Sequence, residues 1–166
     1  MKFLVFILLF VVLVACNSGN QTKQLEARVD SLEQKLSNVY APGFGEFMAG
    51  IQVHHAKLWF AGINANWELA DFEVHEIMEA IDDLQQFQQK RKEVRSLPML
   101  DPALDSVNAA IKGKSLVQFK SSFILLTATC NNCHKAVDYP FNEVKIPDTP
   151  PFSNQVFEKR ERMKNR

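Results

Sequence analysis

Five consecutive residues, Cys130-Asn131-Asn132-Cys133-His134, constrain this chain more than any other part of its sequence. Two cysteines separated by two residues and followed at once by a histidine form the pattern at which haem is attached covalently. The two thiols would add to the two vinyl groups of one porphyrin, and the histidine would ligate its iron through a ring nitrogen. We therefore expect one covalently attached haem c, bound by Cys130 and Cys133, with His134 as an axial metal ligand.

The same cysteines have two other interpretations. A C-x-x-C pair also occurs in redox-active disulfides and in zinc sites. A redox disulfide of the thioredoxin type requires a βαβ context, whereas the sequence around Cys130 has a helical pattern. A zinc site requires further ligands, which His54 or His55 could supply in three dimensions. A membrane-tethered zinc-binding interaction module therefore remains as a less favoured alternative.

The N-terminus has the pattern of an export signal. Lys2 is followed by an uncharged, apolar run over residues 3–15, which is too short to span a membrane. Residues 13–16, Leu-Val-Ala-Cys, resemble the lipobox of bacterial lipoproteins. This resemblance implies that a signal peptide, residues 1–15, is removed and that Cys16 is lipidated.

Lipidation of Cys16 would attach the chain to a membrane on the periplasmic side of the cell envelope. The small polar residues of 16–22 predict a flexible tether, and Asn17, the residue after Cys16, slightly favours the outer membrane by resemblance to enterobacterial lipoproteins. The three cysteines of the chain are then all used, one in the anchor and two in thioether bonds. The chain has 19 basic and 19 acidic residues, a balance that does not indicate nucleic-acid binding.

A coiled-coil-like stalk helix is predicted for residues 23–40. Its apolar residues are spaced four, three, four and three apart, as in a coiled-coil seam: Leu25, Val29, Leu32, Leu36 and Val39. About two and a half heptads support only marginal self-association. The stalk could therefore pair with a second copy, giving a homo-oligomer, or pack on its own domain. Ala41-Pro42-Gly43 marks the end of this helix.

Residues 43–137 have helical periodicity throughout and no strand alternation, which predicts an all-α domain. We expect an antiparallel four-helix bundle with helices at Phe44–Ile63, from Trp67 to about Lys92, from Pro102 to Lys112 and from Ser115 to about Val137. Asn66 is the expected N-cap of the second helix, and the segments around Pro98 and Pro102 are expected to bracket a loop. The second helix should turn a set of apolar residues inward, whereas Phe60 should be exposed; the inward set is Leu69, Phe72, Ile77, Ala80, Ile81, Leu84 and Phe87.

The chain continues after the C-x-x-C-H pattern as residues 138–166. Four prolines, at positions 140, 147, 150 and 151, exclude a helix from the first half of this segment. Its apolar residues predict an extended, Pro-rich segment that wraps over the helices or covers the haem. A basic tail follows, from Val156 to Arg166.

A four-helix domain with Cys130, Cys133 and His134 near the end of its last helix resembles the class II c-type cytochromes, the cytochrome c-prime and c-556 group. The resemblance implies one-electron transfer with redox protein partners. No group of potential general acids or bases clusters in sequence near the C-x-x-C-H pattern, so we expect no enzymatic activity. It also implies a sixth iron ligand from the first turns of the first helix, where Met48 lies on the apolar stripe. His55, two turns further on the same face, is the alternative ligand. With neither residue bound, the haem would be five-coordinate and able to bind small gases.

Overall fold

The computed structural model describes residues 19–36 and 42–159, and every regular element in these two ranges is helical. This confirms the predicted all-α class. The predicted signal peptide, Cys16 and residues 160–166 of the basic tail lie outside the described residues. The elements are α1 (19–36), α2 (Phe44–Ile63), α3 (Trp67–Phe87), a 3-10 helix (Lys92–Leu100), α4 (Asp101–Lys112) and α5 (Leu116–Ala136).

Helix α1 belongs to a separate unit of the chain, residues 1–41. Residues 19–22, predicted as part of the flexible tether, are helical. The small polar residues of this stretch do not pack in a core, but they can still form a helix because no proline interrupts it. The predicted seam residues within α1 each expose about half of the side chain or more: Leu25, Val29, Leu32 and Leu36.

The remaining helices form the second unit, in which the predicted boundaries of α2, α4 and α5 and the predicted start of α3 agree with the structure to within about one residue. Helix α2 spans the predicted range, and Asn66 caps α3, because its side-chain oxygen accepts a hydrogen bond from the Leu69 amide at 3.4 Å. Left-handed residues make the two tight reversals, Ala65 between α2 and α3 (φ 52°) and Lys114 between α4 and α5 (φ 51°).

Helix α2 packs along α3, and α4 packs along α5, with further contacts between α3 and α4 and between α2 and α5. At Gly62 the ring of Phe119 from α5 lies against the α2 backbone, since a Cβ atom at this position would overlap that ring. Around this point the aromatic rings of Trp59, Phe119 and Phe123 pack on one another in the core, with centroids 5.0–6.3 Å apart. None of the helices in the described ranges combines the length and apolarity needed to cross a bilayer.

Two predictions about α3 and the following segment are wrong. The helix ends at Phe87 rather than near Lys92, and the expected loop is largely the 3-10 helix. The four residues after Phe87, Gln-Gln-Lys-Arg, offer no apolar side chain that packing could bury, so nothing holds a further helical turn.

Three predicted side-chain orientations are also wrong. Phe72 is 53% exposed because α3 turns the neighbouring Glu73 inward, and Phe87 is 50% exposed at the end of that helix. Phe60, expected on the surface, is buried because the ring of Phe157 covers it at 5.7 Å between centroids.

Residues 137–159 contain no helix or strand and lie against the helices. Phe157 is buried, and its carbonyl oxygen accepts a hydrogen bond from the Asn66 side chain at 3.2 Å. Ile146 packs against the core, and the Lys57 ammonium lies 5.7 Å from the ring centre of Phe152. The segment therefore contributes to the packing of the domain.

Candidate haem-binding site

A cavity of about 380 Å³ lies between the N-terminal half of α2, the 3-10 helix, the C-terminal end of α5 and the segment that follows α5. Its walls include all the haem and iron ligands predicted from the sequence: Met48, His55, Cys130, Cys133 and His134. Cofactor sites commonly have volumes of roughly 300–1,000 Å³. The structure thus brings together residues that are up to 86 positions apart, from Met48 to His134.

The two thiols are adjacent on α5, because residues three positions apart share one face of a helix. Both cysteines are free, and the Cys133 sulfur lies 3.7 Å from the Ser96 carbonyl oxygen of the 3-10 helix. Burial, together with the nearby Cys133, raises the pKa of the Cys130 thiol to about 12, and burial also raises the pKa of Cys133. Cysteines that exchange disulfides have the opposite shift.

His134 is oriented by the segment after α5. Its Nδ1 atom lies 2.6 Å from the carbonyl oxygen of Asn142. A carbonyl oxygen can only accept, so Nδ1 carries the proton and donates it, and Nε2 keeps the lone pair. Iron-ligating histidines typically have this arrangement, with one ring nitrogen donating to a carbonyl and the other free for the metal. The chemistry of His134 therefore fits a haem iron.

The α2 side of the cavity carries Met48 and His55. Met48 is half-buried, whereas His55 is buried and its Nε2 lies 2.9 Å from the Thr127 hydroxyl oxygen. Because that hydroxyl donates its own hydrogen to the Phe123 carbonyl oxygen at 2.9 Å, its oxygen accepts a hydrogen bond from the Nε2–H of His55. Burial lowers the pKa of His55 to about 4, so the ring is neutral near pH 7. Iron ligation by Nε2 of His55 would break this bond, whereas the Met48 thioether has no proton to displace.

The other two histidines have different surroundings. Nδ1 of His54 lies 2.6 Å from Oε2 of the buried Glu73 on α3. His75 is half-exposed, and its Nδ1 lies 2.7 Å from the carbonyl oxygen of Asp71 in its own helix. Neither residue lines the cavity described above.

The segment after α5 forms one wall of the cavity through Tyr139, Asn142 and Val144. Asn131, within the C-x-x-C-H pattern, fixes this wall through two hydrogen bonds of 2.8 Å to the backbone of Val144. Its side-chain amide donates to the Val144 carbonyl, and its side-chain oxygen accepts from the Val144 N–H. Asn131 of the C-x-x-C-H pattern therefore holds the segment after α5 against the cavity, a role that the sequence alone did not predict.

A buried carboxylate also lines the cavity, and sequence reasoning missed it. Oε1 of Glu93 accepts hydrogen bonds from Arg91 Nη2 at 2.8 Å and from the Tyr139 hydroxyl at 3.2 Å. Burial by itself would raise the pKa of Glu93, but hydrogen bonds from its own backbone, Arg91 and Tyr139 outweigh this effect and lower the pKa. Within the charged run 90–95, nothing distinguishes Glu93 from a solvated residue.

No protein-family model, no curated protein and no solved structure matches this chain. In the described ranges, no three histidine, cysteine, aspartate or glutamate side chains are grouped to hold a metal ion by themselves. A haem iron does not need such a group, because the porphyrin supplies four of its ligands and the protein only the axial ones.

Proposed function

We propose that this protein is a monohaem c-type cytochrome that exchanges single electrons with redox protein partners. One observation carries the proposal: Cys130, Cys133 and a His134 ring with a free Nε2 line the same cavity as Met48. Disulfide exchange, by contrast, would use neither the oriented imidazole of His134 nor a thioether in the same cavity.

The residues of the cavity have distinct roles in this proposal. Cys130 and Cys133 would hold the haem through thioether bonds, and His134 would supply a nitrogen ligand to its iron, with its tautomer and ring orientation fixed by the Asn142 carbonyl. Met48, on the α2 side of the cavity, would supply a second protein ligand to the iron. When bound, the haem accepts and releases one electron, and a methionine ligand raises its reduction potential relative to a second histidine.

The helices α2 to α5 would form an antiparallel four-helix bundle of the class II cytochrome c type. The packing of α2 on α3 and of α4 on α5, with contacts that join the two pairs, supports this arrangement. The cofactor site at the end of α5 and the beginning of α2 is also consistent with it, since these two helix ends meet when the helices are antiparallel.

The N-terminal part of the chain would locate this domain in the cell envelope. Lipidated Cys16 is the proposed membrane anchor on the periplasmic side. The exposed seam of α1 supports a stalk that pairs with a second copy of the chain, because four unpartnered apolar side chains share one helix face: Leu25, Val29, Leu32 and Leu36. No enzymatic activity is proposed.

The sixth ligand can be tested with the variant Met48→Ala in the haem-loaded protein. We expect the wild type to show a low-spin spectrum with a sulfur-to-iron band in its oxidised form, and the variant to lose this band and to bind carbon monoxide when reduced. Met78→Ala is the matched control, because Met78 is a partly buried methionine that packs on the core from α3. An unchanged spectrum of Met48→Ala would refute the assignment. A wild type that already binds carbon monoxide would support the five-coordinate, gas-binding alternative.

A further inference from the structure

The buried side chain of Glu93 places a carboxylate on the wall of a largely apolar cavity, where glutamate is rarely found. The residue is 4% exposed, and burial of an ionised group is costly unless hydrogen bonds compensate for it. Arg91 and Tyr139 provide such bonds to the same oxygen, Oε1. The lowered pKa of Glu93 is consistent with a carboxylate that stays ionised at neutral pH.

The negative charge of Glu93 is only partly cancelled by its partner. The side chain of Arg91 is 49% exposed, whereas that of Glu93 is 4% exposed. Water screens the exposed guanidinium more strongly than the buried carboxylate. Both side chains line the cavity, and because the carboxylate is the less screened of the two charges, the pair leaves a net negative potential there.

We infer that Glu93 sets the reduction potential of the haem iron by lowering it, through the negative charge that its buried carboxylate places on the cavity wall. This inference rests on the proposed function. A fixed negative charge favours the oxidised form of a bound iron, because that form carries one more positive charge than the reduced form.

The size of the cavity limits the distance between Glu93 and a bound iron, and this distance gives the expected size of the effect on the reduction potential. A sphere of 380 Å³ is about 9 Å across, so Glu93 lies within about 10 Å of whatever occupies the cavity. At an effective dielectric constant of about 20, a unit charge at this distance changes the ratio of reduced to oxidised protein by roughly tenfold. For a one-electron couple, tenfold corresponds to 59 mV.

The test is a spectroelectrochemical titration of the haem-loaded protein at pH 8 with the isosteric, uncharged variant Glu93→Gln. We expect its potential to rise, with a roughly tenfold larger reduced fraction at a fixed ambient potential. Glu93→Asp retains the charge and should stay close to the wild type. Asp138→Asn is the matched surface control. The Asp138 carboxylate is exposed, follows the cavity-lining Val137 and pairs with Lys92 at 2.9 Å. Its loss should change the ratio of reduced to oxidised protein by less than about twofold.

Each outcome of this titration decides the inference. An unchanged or lower potential of Glu93→Gln, or equal shifts in the Gln and Asp variants, would overturn it. If Glu93→Gln does not fold, the uncharged variant Glu93→Leu takes its place: a raised potential would support the role of the carboxylate, and an unchanged or lowered potential would overturn it. Wild-type protein without haem would instead refute the proposed function, so the two failures are distinguishable.

Discussion

The hydrogen bonds between Asn131 and Val144 give a prediction that links the C-x-x-C-H motif to the segment after α5. In the variant Asn131→Ala both 2.8 Å hydrogen bonds to the Val144 backbone are lost. A hydrogen bond contributes about 0.5–1.5 kcal/mol net, so the pair contributes about 1–3 kcal/mol to holding this wall in place. Replacing Asn with Ala within α5 also improves helix propensity by roughly 0.7 kcal/mol at most, which masks part of the loss.

Asn132→Ala is the matched control, because Asn132 is the neighbouring, exposed asparagine of the same motif and gains the same helix propensity. Comparing the two variants therefore isolates the hydrogen bonds to Val144. The assay is amide hydrogen exchange of peptides covering residues 138–150 in the haem-loaded protein. Opening that is easier by about 1–3 kcal/mol speeds exchange by roughly 5- to 150-fold in Asn131→Ala. Equal exchange in the two alanine variants would show that these bonds do not hold the segment.

Two further predictions concern the α2–α5 interface. Thr127→Val leaves the buried Nε2–H of His55 without its acceptor, which should lower the free energy of unfolding by about 1–3 kcal/mol in urea titrations. The haem spectrum of this variant should not change. A changed spectrum would indicate that His55 takes part in iron ligation. Gly62→Ala should destabilise the protein by about 1–3 kcal/mol, because the new methyl group overlaps the ring of Phe119. In thermal melts the control Gly50→Ala, whose Cβ meets no atom within 4 Å, should be neutral or stabilising, and equal melting temperatures for the two variants would contradict the packing described here.

Much of the helical domain could be predicted from local signals. The start and end of α2, the Asn66 cap and the end of α4 near Gly113 follow from capping residues and apolar periodicity, which act over a few neighbouring residues. The prediction failed where tertiary contacts decide the outcome. Phe60 is buried only because Phe157, 97 positions away, covers it, and no local pattern carries that information.

The same distinction holds for the candidate site. The C-x-x-C-H spacing singles out Cys130, Cys133 and His134 in the sequence. Met48 was expected from the resemblance to class II cytochromes c, and His55 because it lies on the same helix face as Met48. Glu93 and Asn131 carried no such pattern. Their roles depend on where the 3-10 helix and the segment after α5 pass the cavity, and both paths are set by contacts between distant parts of the chain.

The central claim is that two thioether bonds join one porphyrin to α5. Its most direct test is the intact mass of protein matured in cells that carry a cytochrome c maturation system, together with the pyridine haemochrome spectrum of the same sample. We expect the mass to exceed that of the lipidated chain by one haem, the spectrum to be that of a haem with both vinyl groups consumed, and neither Cys130 nor Cys133 to react with a thiol reagent after denaturation. Colourless protein with both thiols reactive would contradict the account.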